Sequence, residues 1–168
     1  MIARSAAARA AASVVLAGVL LVGTTGCTFV STQATLIRYD PSDGVGIDVG
    51  DLQVRNAVAL INKDGGAVSL MITIVNSGKK IANVAMQYKS GGDPLTTTKS
   101  ILPGKVGNYG TTPDDTQIII LNPGVKAGQL LPVYIQYGDF EGKELLVPVL
   151  DEASHPVYAG LYPPEVLR

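Results

Sequence analysis

Tryptophan is absent from this chain, and there is one cysteine, Cys27, and one histidine, His155. A single cysteine excludes a disulfide within the chain. A single histidine leaves little room for imidazole metal clusters. Charged side chains are few, and no stretch is strongly basic, with Lys79-Lys80 the only adjacent basic pair. Nucleic-acid binding needs a cationic face, so no nucleic-acid partner is expected. Sustained 3.6-residue periodicity is also lacking beyond the N-terminal segment, which argues against helical architecture. What is plentiful is turn chemistry: 19 glycines and 10 prolines in 168 residues.

The N-terminus is of a different kind from the rest. Arg4 and Arg9 precede Ala10 to Gly26, 17 residues without a charge, ending in Gly23, Thr24, Thr25 and Gly26. A spanning helix needs about 20 mainly apolar residues. A basic start, a short apolar core and a small-residue end instead have the order of a secretory signal. Residues 1–26 are therefore read as a cleavable signal segment, with an uncut membrane anchor as the alternative. The remainder holds 11 basic and 14 acidic side chains, a net charge of −3.

Cys27 follows this segment directly, and that position favours covalent lipidation over a buried core thiol. A reactive thiol would need cationic neighbours to lower its pKa, and the flanking sequence offers none. Residues 27–35 then form a short tether. From Cys27 to Leu36, where a first strand is expected, the chain reaches under about 30 Å.

Residues 36–152 alternate in the manner of strands. In Asp51 to Asn62, Leu52, Val54, Val58 and Leu60 share one face, and Gln53, Arg55, Ala57 and Ala59 mostly the other. "KDGG" (Lys63 to Gly66) supplies a tight reversal. Val68, Leu70, Ile72 and Ile74 then point inward, with Ser69 and Thr73 outward, completing a β-hairpin. A weaker strand at Ile81 to Lys89, an edge strand at Leu95 to Ile101, and a long loop with one brief strand at Leu102 to Asp115 follow. Gln117 to Leu121 is compact enough for a buried strand. Leu131, Val133, Ile135 and Tyr137 line one side of the next, and Lys143 to Leu150 makes the last. Pro148 cannot donate to a ladder, so that strand is expected at an edge or near its end there. The expected fold is all-β: an antiparallel, immunoglobulin-like β-sandwich of about seven strands. An open barrel is the alternative. Residues 153–168 form a Pro- and Tyr-rich tail, in which Tyr158, Leu161 and Tyr162 are expected to pack on the domain's own flank, the alternative being a partner.

The stretch "LVGTTGC" resembles the processing site of bacterial lipoproteins, with Thr25 and Gly26 at the two small positions before the cysteine and Thr24 where leucine is usual. The resemblance implies that Cys27 is the first mature residue and carries the lipid. The body, through Tyr39 to Ile61, Val68 to Gly78 and the "PG…AGQLLPVYIQYGDFEGKELLVPVL" stretch, resembles the small immunoglobulin-like lipoproteins of high-GC Gram-positive bacteria. The last stretch is also similar to the end of the PCu(A)C copper-chaperone fold. In that class Cu(I) is held by two His and two Met, the soft donors it prefers. Here Val106 to Ile119 contains neither type, so the resemblance carries over no copper site, and Met71 and Met86 are read as packing residues.

Other candidates have plainer readings. Asp40, Asp43, Asp48 and Asp51 could suggest a Ca²⁺ loop, but their spacing is not that of an EF-hand and Asp-Pro and Asp-Gly favour turns. Asp114-Asp115 are neighbours on a loop, where facing catalytic carboxylates are not expected. His155 has no nucleophile motif beside it, and "GKVGNYG" (Gly104 to Gly110) lacks the Lys-Ser/Thr of a phosphate loop. No catalytic residue, metal site or cofactor is expected. The reading is of a non-enzymatic binding or accessory module, lipid-anchored through Cys27 on the extracytoplasmic face of the cell membrane, with an envelope protein as a possible partner. Copper handling is the alternative, and a hydrolase using His155 a third.

Overall fold

The structure is a computed structural model that describes residues 8–18, 40 and 42–165. It divides into two compact units, residues 1–39 and 40–168. In the first, residues 8–18 are helical. No described helix is long and apolar enough to cross a membrane. Cys27, the 27–35 tether and Leu36, where a first strand is expected to start, lie outside the described residues.

The second unit is all-β. Its described residues form nine strands: β1 (Val45–Val49), β2 (Leu52–Ile61), β3 (Ala67–Asn76), β4 (Ala82–Ser90), β5 (Asp93–Ile101), β6 (Val106–Tyr109), β7 (Ile119–Leu121), β8 (Leu130–Tyr137) and β9 (Lys143–Asp151). Hydrogen bonding runs β5-β4-β8-β9-β2-β3-β6, with β1 added to β2 and β7 to β3. The sheet curls so that the inward faces of both halves enclose one core, which includes Leu52, Leu70, Ile72, Met86, Ile120 and Ile135.

Two corrections concern pairing. The described residues form nine strands rather than about seven, and their pairing is not wholly antiparallel. The first part of β9 pairs antiparallel with β8, from Lys143↔Ile135 to Pro148↔Leu130. Its end pairs parallel with β2, from Val149↔Ala59 to Asp151↔Ile61. Pro148 stands at this handover, where a missing N–H does least harm. So β9 is central, and the proline marks the place near its end where it changes partner. The "weaker" strand is also central: β4 lies between β5 and β8 and buries Val84, Met86 and Tyr88. By contrast β7 is only three residues long, with Ile120 buried and Ile119 and Leu121 exposed.

The third correction concerns which residues of β2 face inward. Leu52 and Val54 enter the main core as expected, but Val58 and Leu60 do not. Ala57, Ala59 and Ile61 take the inward places, and Val58 and Leu60 belong to a second apolar cluster with Met71 and Leu161. The cause is a bulge. The β2–β3 register runs Arg55↔Thr73 and then Val58↔Met71, with Asn56 left-handed at φ +49°. One extra residue sends every later side chain to the opposite face. Gly44 fits against this bulge because it has no Cβ; one built there would lie 2.7 Å from Asn56 Oδ1.

The outward face so created is covered by the tail. Leu161 sits over Val58, Leu60 and Met71, flanked by Tyr158 and Tyr162. Tyr158 donates to Asp43 Oδ2 at 2.8 Å, Tyr162 donates to the His155 carbonyl at 3.0 Å, and Asn62 Nδ2 donates to the Pro164 carbonyl at 3.0 Å. The tail thus packs on its own domain.

Candidate functional site

Three places could carry chemistry: the acidic residues, the soft donors, and the clefts between loops. Several of the acidic residues are committed to structural contacts. Asp40 accepts from the Gly46 amide at 2.7 Å, Asp43 from Tyr158, and Asp48 pairs with Arg55 at 2.6 Å. Among the described residues no three His, Cys, Asp or Glu side chains gather as a metal site. Asp115 accepts from the Thr111 hydroxyl and from the Thr111 and Thr112 amides, which closes a turn. These bonds, the Thr111 hydroxyl first, hold its carboxyl below the usual carboxylate range. Asp151 is lowered too, mainly by the Ser154 amide. In both cases the folded-state pKa is depressed. Their contribution to stability is therefore present above the ordinary carboxylate pKa and is lost as pH falls through the lowered value.

Among the described residues the candidate copper donors are Met71, Met86 and His155. Met86 is sealed in the main core and Met71 lies 3% exposed under the tail, in a different cluster. The structure does not bring the two sulfurs to a common opening. His155 begins the tail, half-buried, with its amide donating to the Asp151 carbonyl at 3.0 Å and Nδ1 without a hydrogen-bond partner among the described residues.

The tail's two tyrosines are strongly perturbed. Burial pushes Tyr158 up to about 12, with the Asp43 carboxylate adding to it. Tyr162 is likewise pushed up to about 12, by burial first and then by the negative charge of Asp151 and Glu152. A raised folded pKa means stability that is whole below the unfolded value near 10 and falls away as pH rises toward 12. Two of the seven tyrosines are therefore expected to ionise about two pH units late in an absorbance titration, and the protein to lose stability above pH 10. Tyr158→Phe should remove one late component.

A cleft of about 930 Å³ opens where the β2–β3 turn, the β7–β8 loop and the end of β9 meet. Its lining includes the apolar Ile61, Val125 and Ala127 and the charged Lys63, Lys126 and Glu152. Lys63 Nζ lies 3.4 Å from Glu152 Oε2. A second cleft, about 620 Å³, lies at the other end of the sandwich between the β3–β4 and β8–β9 turns. Neither was legible in the sequence, because each is built by turns far apart along the chain. The one local signal was the glycine and proline density of those turns.

No family model and no curated protein matches this sequence. Solved structures do match in fold. The apo PCuAC domain from PmoF1 superposes with a TM-score of 0.52 at 16% identity, over 62% of this chain and 98% of that one. The apo PmoF2 PCuAC domain gives 0.50 at 11% identity, over 64% of this chain and 95% of that one. The second unit therefore has the all-β fold of PCuAC domains.

Proposed function

We propose that this chain is a non-enzymatic binding or accessory module of the cell envelope, tethered to the outer face of the cytoplasmic membrane by lipid on Cys27. The observation that carries this reading is one of order along the chain. A basic start and an uncharged apolar run lead directly into Gly26-Cys27, and the β-fold unit begins at residue 40. Two or three acyl chains hold a protein stably, where one does not. The commitment of Asp40, Asp43, Asp48 and Asp115 to turns and ion pairs supports a binding role over carboxylate catalysis. The 930 Å³ cleft, lined by both apolar and charged side chains, is of the size of a small-ligand site.

The test is Cys27→Ser in cells, followed by fractionation and mass spectrometry. The wild-type chain should be membrane-bound, with an N-terminal peptide heavier by its acyl groups. The variant should be soluble or an unprocessed precursor. An unlipidated wild type, with a variant that stays in the membrane, would refute the anchor.

Copper handling is the second reading, and the PCuAC fold neighbours speak for it more than for the first. The donors available to it in the described domain are His155, with its unpartnered Nδ1, and Met71 beneath the adjoining tail. Such a site would need the tail to move, since Met71 is covered. Titration of the full chain with Cu(I) discriminates. This reading predicts binding tighter than about micromolar, weakened at least tenfold in His155→Ala. No binding, or binding untouched by that change, rejects it.

A further inference from the structure

The end of the sandwich opposite the 930 Å³ cleft gathers exposed apolar and cationic side chains from separate turns. Asn76, fully buried, knits them together: its Nδ2 donates to the carbonyls of Lys80 and Ile101, its amide to Lys105, and its carbonyl accepts from Gly104. The β3–β4 turn and the β5–β6 turn are thereby fixed side by side. Ile81 and Leu102 in these turns and Val106 at the start of β6 are each more than half exposed, and the turns also carry Lys79, Lys80 and Lys105. None of these lysines is paired with an acid among the described residues. Phe140, 45% exposed and stacked on Tyr137, lines the same cleft as Ile81. Asp51 lies against the β3–β4 turn, its carbonyl accepting from the Ser77 amide at 3.0 Å, and Asp139 and Glu141 belong to the β8–β9 turn across the cleft.

Isolated exposed hydrophobics need no explanation. Three of them in or beside two adjacent rigid turns, interleaved with three unpaired lysines, form an amphipathic surface. Apolar tips of this kind enter the headgroup region of a bilayer while cations meet anionic lipid. We infer that this end of the sandwich docks reversibly on an anionic lipid surface, with Ile81, Leu102 and Val106 inserted and Lys79, Lys80 and Lys105 on the headgroups. The chain leading into the domain permits this. Thirteen residues from Cys27 to Asp40 can reach about 45 Å, whereas β1, running toward this end, spans only about 17 Å. A tethered domain would then lie on the membrane with its larger cleft turned away from it. The tether of the preceding reading would raise the local lipid concentration, but the docking chemistry does not require it.

The test uses the full chain as Cys27→Ser, so lipidation plays no part and its failure would not be mistaken for this one. A single thiol is introduced as Leu102→Cys, or as Leu121→Cys at the far end, and labelled with a polarity-sensitive fluorophore. Vesicles are phosphatidylcholine alone or mixed with phosphatidylglycerol. The Leu102 label should become lipid-quenchable only with the anionic vesicles, and the Leu121 label with neither. Each lysine near such a surface is worth about fivefold in occupancy. Lys79→Glu, Lys80→Glu and Lys105→Glu together should therefore abolish the response, and Lys→Arg at the same positions should preserve it. A Leu102 label equally wet in both vesicles, or quenched equally in the charge-reversed chain, overturns the inference. So does quenching of both labels alike.

Discussion

Asn76→Ala is expected to lower the unfolding free energy by about 3–4 kcal/mol. The side chain is fully buried and satisfies three backbone groups: the Gly78 amide, and the carbonyls of Lys80 and Ile101 at 2.8 and 2.9 Å. Removing it strands two acceptors and a donor, each worth about 1–3 kcal/mol where water cannot replace the lost bond. The partly exposed turn lets water recover some of that. A domain of this size should lose roughly 10–15 °C in melting temperature. Asn76→Asp sharpens the experiment. It still accepts from Gly78 but turns a carboxylate oxygen on two carbonyls, so its pKa in the folded state is raised. Stability should then improve as the pH is lowered through that value, the reverse of the trend for Asp115. Urea denaturation across pH measures both. A change under 1 kcal/mol in Asn76→Ala would mean that the turns hold each other without it.

Ending the chain at His155 should cost about 4–6 kcal/mol and expose an apolar face. Leu161 is 9% exposed and its burial alone is worth about 2 kcal/mol. Its removal also returns Val58, Leu60 and Met71 to water and leaves Asn62 Nδ2 without the Pro164 carbonyl. Two readouts distinguish the cap from an ornament: a lowered denaturation midpoint, and binding of a hydrophobic dye by the folded fraction. Tyr158→Phe is the contrast. It loses only the exposed hydrogen bond to Asp43, so about 1 kcal/mol or less is expected. A truncated chain with wild-type stability and no dye binding would show that the face does not need its cover.

The two predictions meet at the two surfaces of the domain. The tail closes the outward face of β2 and β3. Asn76 braces the turns that carry or adjoin the proposed lipid-facing residues. Neither residue touches a ligand, yet each fixes which surfaces remain open for one.

Much of the strand plan was legible because alternation is local. Val68, Leu70, Ile72 and Ile74, and Leu131, Val133, Ile135 and Tyr137, face the core as their period-two spacing requires. The Lys63 to Gly66 turn likewise joins β2 to β3. The candidate sites were less legible. Cys27 is argued from its place after the apolar run and lies outside the described residues. The clefts, the Asn76 brace and the buried outer cluster arise from turns and strands far apart in sequence.

The sequence by itself determined that the part of the chain after the N-terminal segment is all-β, because side-chain alternation and turn residues are properties of neighbours along the chain. It also placed Asp40 and Asp48 within a few residues of their partners Gly46 and Arg55. Only the tertiary structure decided which face of β2 is inward after Asn56, since a bulge is fixed by the register of the partner strand β3. It alone decided that β9 bridges two halves of one curled sheet, since Pro148 forbids a bond without saying which strand takes over. And it alone made Met71 a buried residue on an outward face, because what covers a strand's second side is set by where a tail ninety residues later comes to rest.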